Sequence, residues 1–313
     1  MNVLSLFDGM SCARLALDRA GLPVTSYFAS EVDKYAITVA KANYPDTVHL
    51  GDVTKITAGD LPAVDLLIGG SPCQGFSFAG GQLAFNDPRS KLFFEFVRIL
   101  KECKPKYFLL ENVNMKQEFQ DVISEQLGCK PVDINSNLVI AQNRRRLYWT
   151  NIPVRSLPEN KRIYLKDILE DGFTDRDKAH CVDANYFKGG NLKSYFEKHR
   201  RQLVFDFADE ADAEGTVLAG EADLKGHDYN RRVYHPDGKS PTLAAASGGN
   251  LEPKVMKGVN WRKLTPIECE RLQTVPDNYT NHVSNTQRYR MFGNGFTGEV
   301  IAFLTEGIEW TIM

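Results

Sequence analysis

Apolar residues in the first half of the chain fall into two alternating patterns. Short unbroken runs, "VLSLF" at residues 3–7, "SYFASEV" at 26–32, "VDLLIGG" at 64–70 and "KYFLLENV" at 106–113, predict buried strands. Between them, "ARLALDRAG" at 13–21, "DKYAITVAKANYP" at 33–45 and "SKLFFEFVRILKEC" at 90–103 space their apolar residues for helices. Gly21 and Pro45 stand where the first two should stop. A further β-branched stretch, "TVHLGDV", adds a strand near residue 48. Strand and helix in alternation predict an α/β fold, a doubly wound, mostly parallel sheet with right-handed crossovers.

Such sheets bind ligands beyond the carboxyl ends of their strands. The residues that end the runs are Asp8 and Gly9, Glu31, Asp52, the triplet Ser71-Pro72-Cys73, and Glu111 with Asn112. Acids and one cysteine are thereby expected on a single rim, which is the predicted active site.

The rhythm breaks after about residue 155. Residues 171–260 are rich in turn formers and poor in long apolar runs, yet aromatics such as Tyr186, Tyr195, Phe205 and Tyr234 persist. This stretch is expected to form a smaller, irregular domain instead of a disordered segment. Regularity returns with "LTPIECERLQ", where Thr265 is the expected N-cap, Pro266 the first helical residue and Glu268 the partner in a capping box. In "TQRYRMFGNGFTGEVIAFLTEGIEW" a Gly-Asn-Gly turn is expected ahead of an amphipathic helix that packs back onto the first domain. The expected division is a catalytic domain over residues 1–170, completed by 279–313, and a small domain over 171–278.

At 313 residues with ordinary hydrophobic and charged fractions, the chain has the composition of a soluble globular protein. It has neither a secretory leader nor an apolar run of membrane-spanning length, so the expected location is the cytoplasm. Its 6 cysteines include no C-x-x-C pair, so neither a metal site nor a disulfide framework is expected. A net charge of −2 does not advertise a nucleic-acid partner, but basic clusters at 144–146, 198–201 and 231–232 leave that open.

The glycine turn in "LFDGMSCARLAL", followed by Glu31 at the end of the next strand, is the layout that holds a nucleotide-like ligand. The G-x-G-x-x-G spacing is absent, so a nucleoside without phosphates fits better than a dinucleotide, and S-adenosylmethionine is one such ligand. Asp52 is either an acceptor for an adenine amino group or a turn aspartate. Cys73, between a proline and a cluster of glycines, is either a small buried hydrophobe or a nucleophile. No cation lies beside it in sequence, so activation would come from elsewhere, with the arginines at 144–146 as one source.

Together these residues resemble the DNA (cytosine-5)-methyltransferase family over nearly the whole length. "LSLFDGMSCARLAL", "SEVDKYA", "GDV", "GGSPCQGFS", "LLENV", "AQNRRRLYW", "RKLTPIECERLQTVPDNYT" and "QRYRMFGNGF" follow its motif order. The resemblance implies a Rossmann-like methyltransferase fold in which Cys73 attacks carbon 6 of an extruded cytosine and Glu111 holds N3 and the exocyclic amine. Arg144 and Arg146 would bind the flipped nucleotide and its phosphate. S-adenosylmethionine would be held by Phe7 on the adenine, Glu31 on the ribose, Asp52 on the adenine amine and Asn294 closing over it. Asp8, Gly9, Val32, Val53, Pro72 and Gly295 complete the implied cofactor set. Gly295 departs from the usual G-N-S and removes a hydroxyl.

Residues 171–278 would be a target-recognition domain for double-stranded DNA. The implied DNA contacts are Gln74, Ser77, Asn112, Gln142, Arg231 and Arg232. A monomer is expected, bacterial, prophage or phage-encoded, with a cognate restriction endonuclease as a conceivable companion. The RNA branch of the fold, acting on transfer RNA, typically has "PPCQPF" and a Cys-Phe-Thr element, and neither occurs here. A silent DNA-binding regulator would have lost the motif cysteine or glutamate, and both are present.

Overall fold

The computed structural model describes residues 1–71, 91–207, 210–211, 217–221, 232–234, 254–255 and 259–310. A 7-stranded sheet organises the molecule, built from β1 (Asn2–Leu6), β2 (Ser26–Ser30), β3 (Val48–His49), β4 (Leu66–Gly70), β5 (Tyr107–Val113), β6 (Val132–Asn135) and β7 (Arg145–Thr150), in the order β3-β2-β1-β4-β5-β7-β6. The first five strands pair in parallel, while β7 runs antiparallel to both β5 and β6. Strand order turns back between β1 and β4, and a crevice opens at such a switch point.

Alternation along the strands sends side chains to two cores. Val3, Leu66, Ile68 and Leu109 face one, with Ala13, Ala16 and Leu17 of α1 (Cys12–Arg19) and Val39 of α2 (Lys34–Asn43). Leu4, Leu6, Leu67 and Leu110 face the other, under Phe93, Phe96 and Ile99 of α3 (Lys91–Cys103) and Phe119, Ile123 and Leu127 of α4 (Gln117–Leu127). Strands buried on both faces need unbroken apolar runs, which is why these runs were conspicuous in the sequence.

In residues 171–260 the described pieces are α5 (Leu192–Lys198), β8 (Leu203–Phe207), β9 (Glu210–Ala211), β10 (Val217–Glu221), β11 (Arg232–Tyr234) and β12 (Lys254–Val255). Strand β8 pairs antiparallel with β13 (Val259–Lys263), and the others form a 4-stranded sheet in the order β12-β11-β10-β9. The chain then returns to the large domain through α6 (Pro266–Leu272), α7 (Asn285–Asn294) and α8 (Gly298–Thr305). Leu264, Cys269, Leu272 and Val275 belong to the large core, and α8 packs against α1. Among the described residues, no helix is long and apolar enough to cross a membrane.

Thr265 caps α6 as its sequence predicts: its hydroxyl accepts from the Glu268 amide and the Glu268 carboxylate accepts from the Thr265 amide, with Pro266 in the first turn. The Gly-Asn-Gly stretch differs from the expectation. Gly293 and Asn294 are the last residues of a helix, and Gly295 at its C-cap has ordinary negative φ. Gly293 is needed for close approach instead, because a Cβ there would lie 2.1 Å from the backbone nitrogen of Ala184.

Candidate active site

The turn after β1 shapes one side of the crevice. Phe7, Gly9 and Ser11 all have positive φ (57, 61 and 62°), so the chain reverses sharply before α1. Strand β1 consequently stops at Leu6, one residue short of the apolar run. Within this turn the Asp8 side chain points inward, accepting from the Ser11 hydroxyl at 2.6 Å and the Tyr27 hydroxyl at 2.7 Å. Burial pushes its carboxyl above the usual range, against the lowering effect of those hydrogen bonds.

Glu31 closes the same turn from β2. One carboxylate oxygen accepts from the Gly9 amide at 2.8 Å, and the other from the amides of Val32 and Asp33. The Gly9 amide is a donor that a dinucleotide-binding turn would direct at phosphate. Here a carboxylate occupies it, and a second anion at that point would be repelled. Val32 beyond it is an apolar side chain that stays 73% exposed. Asp52 caps the short turn Val53–Lys55, accepting from the amide and hydroxyl of Thr54, whose hydrogen bonds hold its carboxyl below the usual range.

Phe7, Glu31, Val32, Asp52, Asn294 and Gly295 all line one cavity of about 380 Å³. The same cavity is lined by Gly70 at the end of β4 and Ser71 just after it, by Glu111 and Asn112 of β5, and by Arg144 and Arg146. The register pairs Gly70 with Glu111, so the strand that leads to Cys73 and the strand that carries Glu111 are neighbours. Glu111 faces the Arg146 guanidinium at 3.0 Å, and both side chains are nearly buried. Asn112 is buried, donates to the Ser71 hydroxyl at 3.1 Å and accepts from the Val113 amide. Asp8, Gly9 and Val53 border the same cavity. Pro72, Cys73, Gln74, Ser77 and Arg231 lie outside the described residues, and Arg232 is described only as backbone of β11.

A cavity at the switch point of a parallel sheet, lined by a carboxylate, an arginine and a nucleoside-type turn, matches a known assembly. The family description "C-5 cytosine-specific DNA methylase" fits residues 1–310. The chain belongs to this family. Among its relatives, the type II methyltransferase M.SsoII of Shigella sonnei is 33% identical over 99% of this chain and 80% of its own length. The type II methyltransferase M1.ScrFI of Lactococcus lactis subsp. cremoris is 32% identical, over 97% of this chain and 77% of its own. In fold, the methyltransferase EhMeth of Entamoeba histolytica superposes with a TM-score of 0.67 at 16% identity, covering 98% and 97% of the two chains.

Within the methylase fold, several residues have places that spacing alone did not reveal. Gln142 is fully buried (0% exposed): its amide donates to the Leu272 carbonyl and accepts from the Val182 amide, which ties β7's approach to the region that follows. That environment leaves it no exposed face for a duplex. Arg98 on α3 donates to the carbonyls of Val53 and Ile56 while held by Glu95 and Glu102, so it fixes the turn that Asp52 caps. Its signal was present as acids three residues before and four after it. Phe296 packs against Gly70, which has no room for a Cβ.

Burial raises the thiols of Cys103, Cys129 and Cys269, and lifts Cys12 to about 12. Cys181 goes the other way: burial raises it, but Arg144 and Arg146 together outweigh that and leave it below the usual thiol range. Among the described residues no group of His, Cys, Asp and Glu is placed to hold a metal ion.

Proposed function

We propose that the protein transfers a methyl group from S-adenosylmethionine to carbon 5 of cytosine in duplex DNA, through a covalent adduct of Cys73. The observation that carries the cofactor assignment is the Gly9 amide bound to Glu31. A ligand with phosphates would meet that carboxylate, whereas ribose hydroxyls can donate to it. Phe7, Val32 and Val53 supply apolar surface for a purine, and Asp52 an acceptor for its amino group. The cofactor would supply an electrophilic methyl group on a sulfonium.

The chain's own residues would do the rest. Ser71, two residues before Cys73 in sequence, lies at the cavity beside Glu111. The Cys73 thiolate adds to carbon 6 of cytosine, and the electron density released makes carbon 5 nucleophilic. Glu111, steered by Arg146, holds the amine and N3 as charge develops there. After carbon 5 has taken the methyl group, loss of its proton and expulsion of Cys73 restore the aromatic ring. The target base must first leave the duplex stack, at a cost of a few kcal/mol, which phosphate and groove contacts offset.

In this proposal residues 171–278 form the target-recognition domain, with Arg231 and Arg232 as DNA contacts, and residues 1–170 and 279–313 the catalytic domain. The protein acts as a monomer, and the type II relatives suggest a cognate endonuclease.

Duplex DNA containing 5-fluorocytosine tests this reading. Incubated with S-adenosylmethionine, it is expected to trap a covalent complex at Cys73, seen by peptide mass spectrometry. Cys73→Ala should bind cofactor yet transfer no methyl group. A trap at another cysteine refutes the nucleophile, and modification of transfer RNA but not duplex DNA refutes the substrate.

A further inference from the structure

Arg144 stands one residue before β7, and Arg146 lies within it. Both line the cavity and both approach Cys181, but their other partners differ. Arg146 reaches the Glu111 carboxylate. Arg144, only 3% exposed, turns towards the cofactor wall. Its Nη2 donates to the carbonyls of Gly293, at 3.2 Å, and Gly295, at 2.8 Å. Its Nη1 donates to the Cys181 sulfur at 3.5 Å, while its Nε is enclosed without a hydrogen-bond partner among the described residues.

Three chain segments meet at this guanidinium. Residues 179–182 are laced to 141–143, through the Ala179 amide on the Ala141 carbonyl and the Val182 amide on Gln142. Gly293 rests against the backbone of Asp183 and Ala184. Asn294, exposed at the cavity, lies between the two carbonyls that Arg144 holds. Arg144 thus holds the Gly293–Asn294 peptide and the Gly295–Phe296 peptide. The Gly295 amide between them donates to the Met291 carbonyl, and the three contacts fix the direction in which Asn294 faces the cavity. A guanidinium whose donors are spent on backbone carbonyls and a sulfur, and whose Nε is enclosed, has little left to offer a phosphate.

We propose that the two arginines divide their work: Arg144 is a positioning residue that sets the Asn294 wall of the cofactor site, and Arg146 alone of the pair addresses the substrate base. Cys181 is the third anchor of the Arg144 guanidinium. The inference rests on the cofactor reading of the cavity and changes the role that the family resemblance implies for Arg144.

The test is cofactor binding measured without DNA, by calorimetric titration of S-adenosylmethionine and S-adenosylhomocysteine, beside steady-state kinetics with duplex DNA. Arg144→Met, which removes both carbonyl contacts, is expected to weaken cofactor binding about tenfold, the scale set by two modest hydrogen bonds. Its KM for DNA at saturating cofactor should stay near the wild-type value. Arg144→Lys should recover part of the cofactor affinity, and Arg146→Lys should keep cofactor affinity while lowering kcat. Cys181→Ala removes one anchor of Arg144 together with a contact of Arg146, so it should weaken cofactor binding by a smaller factor and also lower kcat, and it keeps the proposal testable where Arg144→Met fails to fold. Wild-type cofactor affinity with a raised KM for DNA in Arg144→Met or Arg144→Lys overturns the proposal. A wild-type protein that binds cofactor but methylates no DNA refutes the functional reading while leaving the Arg144 comparison intact, and one that binds no cofactor removes both.

Discussion

Gly70 shows how little room the cavity has beside Glu111. It is the last residue of β4, and a Cβ added to it would come within 2.7 Å of Phe296 Cε1 and 3.2 Å of Glu111 Oε2. Gly70→Ala must therefore displace the ring, the carboxylate or both. Since Glu111 is held by Arg146 on its other oxygen, the shift would fall on the geometry that presents the carboxylate to a base. We expect kcat to drop about a hundredfold, the scale of a misplacement near 1 Å. The accompanying overpacking should cost about 1–3 kcal/mol of stability. Methylation kinetics and thermal unfolding of the same variant check both numbers, and unchanged kcat would show that the carboxylate tolerates movement.

At the scale of the element, α6 is the part whose sequence and structure agree most closely. Its cap is a local contract between Thr265 and Glu268, and local contracts can be recognised in a string of residues. Thr265→Ala should cost about 1 kcal/mol of stability, read from the midpoint of urea unfolding; a shift near zero would assign the end of α6 to packing alone. The doubly wound strands were legible for a similar reason, because burial on both faces demands uninterrupted apolar runs. What was not legible depends on partners far along the chain. Gly293 looks like a turn former until Ala184 is seen against it, and Gln142 looks like a polar contact residue until Leu272 and Val182 enclose it. The rim acids were foreseen from strand ends, yet Asp8 proved to serve the turn through Ser11 and Tyr27. Strand β7 was hidden because its sequence, opening on arginines, has the charge of a surface patch.

For the molecule as a whole, the region after residue 171 carries its own sensitivity to acid. The His180 ring accepts from the Arg176 guanidinium at Nε2, and the His199 ring lies tilted beside it at 5.8 Å between centroids. Burial first, and then the neighbouring charges of Arg176 and His199, push His180 down to about 4. It is therefore neutral in the fold where the unfolded chain, with an ordinary histidine near 6.5, begins to take up a proton. The stabilisation is complete above pH 6.5 and is lost as pH falls towards 4. Asp8 has the opposite linkage, since its raised carboxyl favours the protonated fold, so the wild-type curve alone mixes the two. The difference in unfolding free energy between wild type and His180→Asn is expected to shrink across that window; a difference that stays flat from pH 7 to 4 would remove His180 as its source.

The packing of α8 on α1 has a consequence for how the molecule comes into being. Helix α1 follows the first strand, while α8 and the cavity-lining residues just before it are among the last of the described chain to leave a ribosome. Closing contacts across such a separation is slow compared with forming neighbouring turns. Until then, a nascent chain already carries Glu31, Asp52, Glu111 and Arg146 but has no Asn294 or Phe296 to wall them in. Synthesis thus acts as a safeguard: chains cut short before α7 hold Glu31, Asp52, Glu111 and Arg146 but lack the wall from Met291 to Phe296, and should leave DNA untouched.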